Sequence, residues 1–282
     1  MNKSSLHIHC WKIMSKGKLC FIGLGLYDEQ DLSIKAHKTI EKADYVYVEF
    51  YTSILAGSSI NKLKESCKKD IIVLNREETE DATILLSKAK ENVVAFLVGG
   101  DSLTATTHVD LRIRAIKQGI NTSVIHGSSV LTAVPGLLGL QHYKFGRITT
   151  IVRPEKNYFP LSPYDMIKEN KKQGLHSLVL LDIKADKNYF MTADEAIDIL
   201  LKMEERKKEK LFSTEDVICV VARAGSAEPL VKADTIEHLK QQQFGPPLHT
   251  LVVPGNLHFM EIEALKYLAN LPEQAEKKLQ KV

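Results

Sequence analysis

The sequence predicts an α/β protein made of two α/β domains, and three observations support this fold class. The chain has 282 residues, which exceeds the usual size of a single domain. Short apolar runs rich in β-branched residues alternate with longer amphipathic stretches, a pattern typical of parallel α/β layers. The pattern begins again after Val134-Pro135-Gly136, so we expect an N-terminal domain at residues 19–134 and a C-terminal domain at residues 135–282.

The first half contains five apolar runs that read as buried strands and four amphipathic stretches that read as helices. The predicted strands are Leu19 to Ile22, Tyr45 to Phe50, Ile71 to Leu74, Val93 to Val98 and Ser123 to Ile125. The predicted helices lie near Asp31 to Lys42, Ser59 to Lys68, Glu78 to Glu91 and Thr107 to Gln118. Together they make a complete open-sheet domain.

The second half repeats this alternation with further strands and helices. The predicted strands are Ile148 to Val152, Ser177 to Ile183, Val217 to Ala222 and His249 to Val253. Thr192 and Glu195 have the spacing of a capping box, which predicts a helix over 193–205. Pro163 follows Ser162 and suits the first position of another helix.

The composition is that of an ordinary globular protein. Hydrophobic residues make up 44% of the chain and charged residues 26%, both in the normal range. The net charge of +3 is too small to indicate a nucleic-acid partner. No apolar run approaches the roughly eighteen residues that a membrane span requires. The four cysteines are scattered with no CxxC pair, so we expect reduced thiols in a cytoplasmic protein.

Residues 1–18 are expected to form a disordered extension. The segment has a basic start, but it lacks the continuous apolar stretch of a secretory signal. Translation from Met14 instead of Met1 would remove most of it, and the sequence leaves the two start sites open.

Two strand ends in the first half carry glycines, and they indicate a ligand site. The first strand runs into Gly23-Leu-Gly25, and the fourth runs into Gly99-Gly100-Asp101. Because the carboxyl ends of parallel strands face one crevice, both tips should border the same site. The phosphate motifs fail here, since no GK[ST] follows and Asp101 would repel a phosphate. A hydroxyl-bearing, cationic small molecule fits better, with Asp101 as an acceptor of its hydrogen bonds.

Other chemistry is not indicated. The chain has no HExxH spacing and no Cys/His set for a metal, and no GxSxG nucleophile motif. Thr106, Thr107 and His108 are read as the start of a helix, and His249 alone more often indicates a hydrogen-bonded structural histidine. No catalytic residue is assigned.

Several blocks of the sequence resemble the diphthine synthase family. They include FIGLGLYDEQDLSIKA, FLVGGDSLTATTHVDLRIRA, VIHGSSVLTAVPGLLGLQHYKFGR and FGPPLHTLVVPGNLH, and they recur in order from about Phe21 to His258. This family belongs to the tetrapyrrole methylase-like S-adenosylmethionine-dependent methyltransferases. The resemblance implies two α/β domains with an S-adenosylmethionine cleft between them, in a homodimer. One departure is Ser102, where the family usually has proline.

The resemblance also implies a substrate and a set of donor contacts. The substrate is the histidine of translation elongation factor 2 that already carries a 3-amino-3-carboxypropyl group, an intermediate of diphthamide biosynthesis. Three methyl transfers give diphthine and four give diphthine methyl ester, and the sequence leaves this choice open. The positions matched to donor contacts are Leu26, Asp101, Thr104, Ser129, Val130, Leu181, Ala224 and His249.

Two alternatives remain beside this reading. One is a methyltransferase of the same class that acts on a tetrapyrrole, although such enzymes more often have GxGPGD in the first loop. The other is a non-catalytic protein that binds the donor on the same fold.

Overall fold

The computed structural model describes residues 17–279. The expected extension at residues 1–18 and the two start sites, Met1 and Met14, lie outside this range except for Gly17 and Lys18. Lys18 already belongs to the first strand, where it pairs with Val93 and Asn121.

The first domain is built on a fully parallel sheet of five strands, all of which the sequence predicted. In chain order they are β1 (Lys18–Gly23), β2 (Tyr45–Glu49), β3 (Ile72–Leu74), β4 (Val93–Val98) and β5 (Asn121–Ile125). The order across the sheet is β3-β2-β4-β1-β5. β4 and β1 lie at the centre; β4 is apolar throughout and β1 is apolar after Lys18, as strands buried on both faces require.

Six helices connect or follow these strands. They are α1 (Ile34–Lys42), α2 (Ile60–Cys67), α3 (Arg76–Asp81), α4 (Thr83–Ala89), α5 (His108–Lys117) and α6 (Val130–Leu138). The single helix predicted near Glu78 to Glu91 is wrong, because Ala82 adopts a left-handed conformation with φ of 60° and separates α3 from α4. The predicted start near Thr107 is confirmed within one residue, but the Thr107 side chain makes no capping hydrogen bond.

The second domain contains a mixed sheet of order β11-β10-β12-β7-β6. Its strands are β6 (Thr149–Ile151), β7 (Ser177–Leu181), β10 (Val217–Ala222), β11 (Leu230–Thr235) and β12 (His249–Val253), and a small hairpin pairs β8 (Ile183–Lys184) with β9 (Tyr189–Phe190). The expectation of a parallel sheet is wrong here, since only β6 and β7 pair in parallel. The sequence analysis did not predict β11, because this strand lies at the edge of the sheet, where polar residues can alternate with apolar ones.

The helices of this half are α7 (Ser162–Lys172), α8 (Ala193–Lys207), α9 (Ile236–Leu239), α10 (Phe259–Leu268) and α11 (Glu273–Glu276). α7 begins at Ser162, so Pro163 lies in its first turn as the second residue, one position later than predicted. The capping box at Thr192 is wrong: its side chain makes no capping bond, and Glu195 instead accepts from the Tyr189 hydroxyl at 2.8 Å.

Apolar layers cover both faces of each sheet, and α6 connects the two halves. Val134 and Leu138 of α6 pack with Leu178, Val252 and Leu265 of the second half. The expected division between residues 134 and 135 falls inside this helix, which by its packing lies with the second sheet. Among residues 17–279, no helix is both long and apolar enough to cross a bilayer.

Candidate functional site

A cleft of about 520 Å³ lies between the two domains at the carboxyl ends of the central strands. The first domain contributes the loops after β1, β2 and β4, and the connecting helix α6 contributes its start. The second domain contributes the ends of β6 and β7 and the start of β12. Seven of the eight predicted contact positions line this cleft, namely Leu26, Asp101, Thr104, Ser129, Val130, Leu181 and His249.

The floor of the cleft is made by strand tips that approach unusually closely. Gly25 and Gly100 exchange two backbone hydrogen bonds, with N···O distances of 3.2 and 2.7 Å. A Cβ on Gly23 would lie 2.5 Å from the Gly100 carbonyl oxygen and 2.5 Å from the Gly127 nitrogen. These contacts confirm that the two glycine-bearing tips border one crevice, and they explain why the positions lack side chains.

Asp101 is buried at the edge of the cleft and organises the loop that follows β4. Its Oδ1 accepts from the Leu103 amide at 3.2 Å and from the Thr104 hydroxyl at 3.0 Å. Its Oδ2 lies 2.6 Å from Nδ1 of His126. Burial raises the pKa of Asp101, but these hydrogen bonds outweigh burial and lower the pKa below its ordinary value. The carboxylate therefore stays charged and holds the loop as well as facing the cleft.

Ser102, the position where the family usually has proline, is fully buried. Its carbonyl accepts from the Thr106 hydroxyl at 3.2 Å and from His108 Nδ1 at 3.2 Å. Its own hydroxyl finds no hydrogen-bond partner among residues 17–279. Hydrogen bonds and burial thus fix this loop although the proline is absent.

Leu26, Ser129 and Val130 complete the first-domain side of the cleft. The amide of Leu26 donates to Asp31 Oδ2 at 2.9 Å, which fixes the turn after β1. Ser129 caps α6 and accepts from the Leu131 amide at 3.3 Å. Ser129, Val130 and Leu131 therefore bring the start of α6 to the wall of the cleft.

The second-domain positions differ in what they offer. Leu181 ends β7 and supplies apolar surface to the cleft. His249 accepts from the Ala193 amide on Nδ1 at 3.1 Å and donates from Nε2 to the Pro246 carbonyl at 3.1 Å. Burial lowers the pKa of His249, so the ring is neutral at pH 7. Both ring nitrogens are thus used within the protein, as the structural reading of this histidine predicts.

Ala224 is the predicted position that does not line the cleft. It is buried in the core of the second domain. Its neighbour Gly225 has a φ of +95° and approaches the turn after β1, where a Cβ would lie 2.6 Å from Cβ of Leu26. Ala224 therefore reaches the site through the loop that contacts Leu26.

The sequence analysis missed a buried polar cluster behind the cleft. Glu49 ends β2 with no exposed surface and accepts from the amide of Thr52 at 3.0 Å. His108 Nε2 lies 3.8 Å from Glu49 and 3.5 Å from the hydroxyl of Tyr51, which lines the cleft. Burial raises the pKa of Glu49 and lowers that of His108, so both lean toward their neutral forms. The sequence does contain a signal for this cluster, because Glu49 is the last residue of the otherwise uncharged strand β2.

Metal chemistry finds no support in the part of the chain that the structure describes. Residues 17–279 contain no group of three or more His, Cys, Asp or Glu side chains placed to hold a metal ion. The cleft instead combines apolar walls with a few fixed polar groups, which is the usual character of a small-molecule site.

Comparisons with known proteins agree with this geometry. The profile of the Tetrapyrrole (Corrin/Porphyrin) Methylases matches residues 18–240. Diphthine synthase of Methanosphaera stadtmanae is 47% identical over 256 residues, covering 91% of this chain and 97% of that protein. Diphthine synthase of Methanothermobacter thermautotrophicus is 52% identical over 254 residues, covering 90% of this chain and 96% of that protein.

A solved structure gives the same assignment. A crystal structure of diphthine synthase superposes with a TM-score of 0.84 at 38% identity, covering 92% of this chain and 99% of that chain. Sequence and fold agree over nearly the whole length of both proteins. The chain belongs to the diphthine synthase family of the tetrapyrrole methylases, and it is a methyltransferase.

Proposed function

We propose that this enzyme transfers methyl groups from S-adenosylmethionine to the 3-amino-3-carboxypropyl-histidine of translation elongation factor 2, in the diphthamide pathway. The observation that carries the proposal is an interdomain cleft, bordered by seven of the eight predicted donor positions, in a chain about half identical to two diphthine synthases. That agreement over most of the chain also favours this substrate over a tetrapyrrole.

The residues of the cleft fit S-adenosylmethionine. A volume of about 520 Å³ is within the usual range for small-molecule sites. The bare glycine tips let a ligand approach the backbone, and Leu26, Val130 and Leu181 offer apolar contact. Asp101, Thr104, the α6 terminus at Ser129, the loop carrying Ala224, and His249 at the start of β12 would hold the polar parts of the donor.

The donor, when bound, supplies an activated methyl group on a sulfonium. The protein must therefore position a neutral amine in line with that group and exclude water, which is where proximity contributes most to the rate. The fixed loop at Asp101 and the apolar walls serve these two tasks. A strong general base is not required by this chemistry, and we assign none.

The assembly and the cellular setting follow the same proposal. We infer a homodimer, which the exposed apolar residues Phe259, Tyr267 and Leu268 of α10 support. Cytoplasmic location is supported by Cys20, Cys67 and Cys219, which are buried free thiols. Elongation factor 2 is the proposed partner, with no direct role for nucleic acid or membrane.

The test is a count of methyl groups on the product. Elongation factor 2 bearing the aminocarboxypropyl-histidine is incubated with the donor, and the modified peptide is followed by mass spectrometry. We expect mass steps of about one methylene each, ending at three for diphthine or four for its methyl ester. An unchanged peptide, with donor binding shown in parallel, would contradict this substrate.

A further inference from the structure

A second cavity adjoins the cleft, and we call it the side pocket. It has a volume of about 680 Å³ and lies between the loop after β2, α2, the β3–α3 turn and the β8–β9 hairpin. Its walls are mostly apolar, with Phe50, Ile54 and Leu63 among them. Tyr51 and Arg76 line both the side pocket and the cleft, so they mark the junction of the two cavities.

Arg76 is the cation at this junction. Among the described residues that line either cavity, it is the only lysine or arginine. Its Nε donates to Glu80 Oε1 at 2.7 Å, and its guanidinium carbon lies 5.8 Å from the centre of the Tyr51 ring. The side chain is nevertheless 73% exposed. Glu80 and Tyr51 thus orient the guanidinium, while much of it remains open to a ligand.

A guanidinium in this position has a preferred ligand. Its planar fork matches a carboxylate through two parallel N–H···O hydrogen bonds. The proposed acceptor carries one carboxylate, next to the amine that receives the methyl groups. The donor also carries a carboxylate, but the resemblance assigns the methionine end of the donor to the backbone and hydroxyl of Ser129 and Val130, away from Arg76.

The acids near Arg76 agree with an amino-acid head group. Glu80 lines the cleft and Asp186 lines the side pocket, and both are close enough to Arg76 to raise its pKa. The acceptor nitrogen is cationic after each methyl transfer, so a cation flanked by two acids complements both ends of the group.

From this arrangement we infer that Arg76 binds the carboxylate of the aminocarboxypropyl group and that the histidine-bearing segment reaches the cleft through the side pocket. Arg76 is then a specificity-determining residue for the acceptor. This inference rests on the proposed function, since it takes its ligand from that reaction.

The first experiment separates the two substrates with Arg76→Gln. We expect KM for elongation factor 2 to rise about ten- to a hundredfold, the usual effect of a lost charge-assisted hydrogen bond. The donor Kd, measured by titration calorimetry, should stay within about twofold of the wild-type value. Arg76→Lys keeps the charge but loses the planar fork of the guanidinium, so its KM for elongation factor 2 should lie between those of the wild type and Arg76→Gln.

Controls and a second readout make the result specific. Arg147→Gln removes an exposed arginine that lines neither cavity and should leave both constants unchanged. Synthetic acceptor peptides that carry the group as a carboxylate or as a carboxamide then test the ligand directly. The wild type should prefer the carboxylate about tenfold or more, and Arg76→Gln should lose that preference.

Three results would overturn the inference. The first is an unchanged KM for elongation factor 2 in Arg76→Gln. The second is a donor Kd that rises about as much as this KM, which would assign Arg76 to the donor. The third is equal use of the carboxylate and carboxamide peptides by the wild type. A wild type that methylates neither elongation factor 2 nor the peptides would contradict the proposed function itself, and the inference would fall with it.

Discussion

Asp101 shapes the loop after β4 before any ligand is bound, because three groups of the protein already use its carboxylate. They are the Leu103 amide, the Thr104 hydroxyl and the His126 ring. We expect Asp101→Ala to weaken donor affinity about ten- to a hundredfold in titration calorimetry, since all three lose their acceptor. Asp101→Asn keeps an oxygen acceptor for the Leu103 amide and the Thr104 hydroxyl, so its donor affinity should fall less than that of Asp101→Ala.

The matched control is Asp198→Ala, which removes a half-exposed aspartate paired with Lys240 on the surface. Its donor affinity should equal that of the wild type. Unchanged affinity in Asp101→Ala would remove this residue from the site.

At the level of single residues, the sequence could predict Asp101 but not its partners. A carboxylate after a glycine-bearing strand end is a local signal, and Thr104 lies three residues away. His126 follows β5 and reaches Asp101, which follows β4, across the intervening strand β1, so only the strand order brings the two side chains together. Such neighbours are set by topology, which spacing along the chain does not encode.

Among the elements, the tips of β1, β4 and β5 meet so closely that glycine is required. Gly23→Ala would place a methyl group 2.5 Å from two backbone atoms, the Gly100 oxygen and the Gly127 nitrogen. We expect a loss of about 2 kcal/mol or more in the free energy of unfolding, because backbone atoms cannot rotate away. Urea unfolding followed by circular dichroism measures the loss.

Gly136→Ala is the matched control, because its Cβ would meet nothing within 4 Å and the residue lies inside α6. Alanine there should raise stability by about 0.5–1 kcal/mol, since it favours the helix and restricts the unfolded chain. Equal effects at both glycines would contradict the close approach of the strand tips.

Element prediction succeeded where burial was complete and failed at edges and breaks. Central strands such as β4 and β10 are apolar along their whole length, so they stand out in the sequence. β11 is an edge strand and alternates, and the break at Ala82 depends on one residue with a positive φ. The direction of the strands in the second sheet depends on the connections between them. The parallel arrangement expected from the first half was wrongly extended to this second sheet.

For the whole molecule, three buried histidines couple folding to pH. Burial lowers the pKa of His108, His176 and His249 below the ordinary 6.5. Each gives a hydrogen bond from one ring nitrogen, to Ser102, Glu261 and Pro246 respectively. In the folded state they therefore stay neutral at pH values where the unfolded chain has begun to bind protons.

We accordingly expect stability to fall as the pH drops from 7 to 5. Below pH 6.5 the unfolded state binds more protons, and each histidine that stays neutral adds a slope approaching about 1.4 kcal/mol per pH unit. Glu49 acts in the opposite direction, because its raised pKa favours the folded state at low pH. Because three histidines lower the stability at acidic pH and only Glu49 among these four groups raises it, we expect a net loss of stability on acidification. Urea unfolding at a series of pH values measures this loss, with His176→Asn and His249→Asn each reducing the slope. Stability that is flat or higher at pH 5 would contradict this expectation.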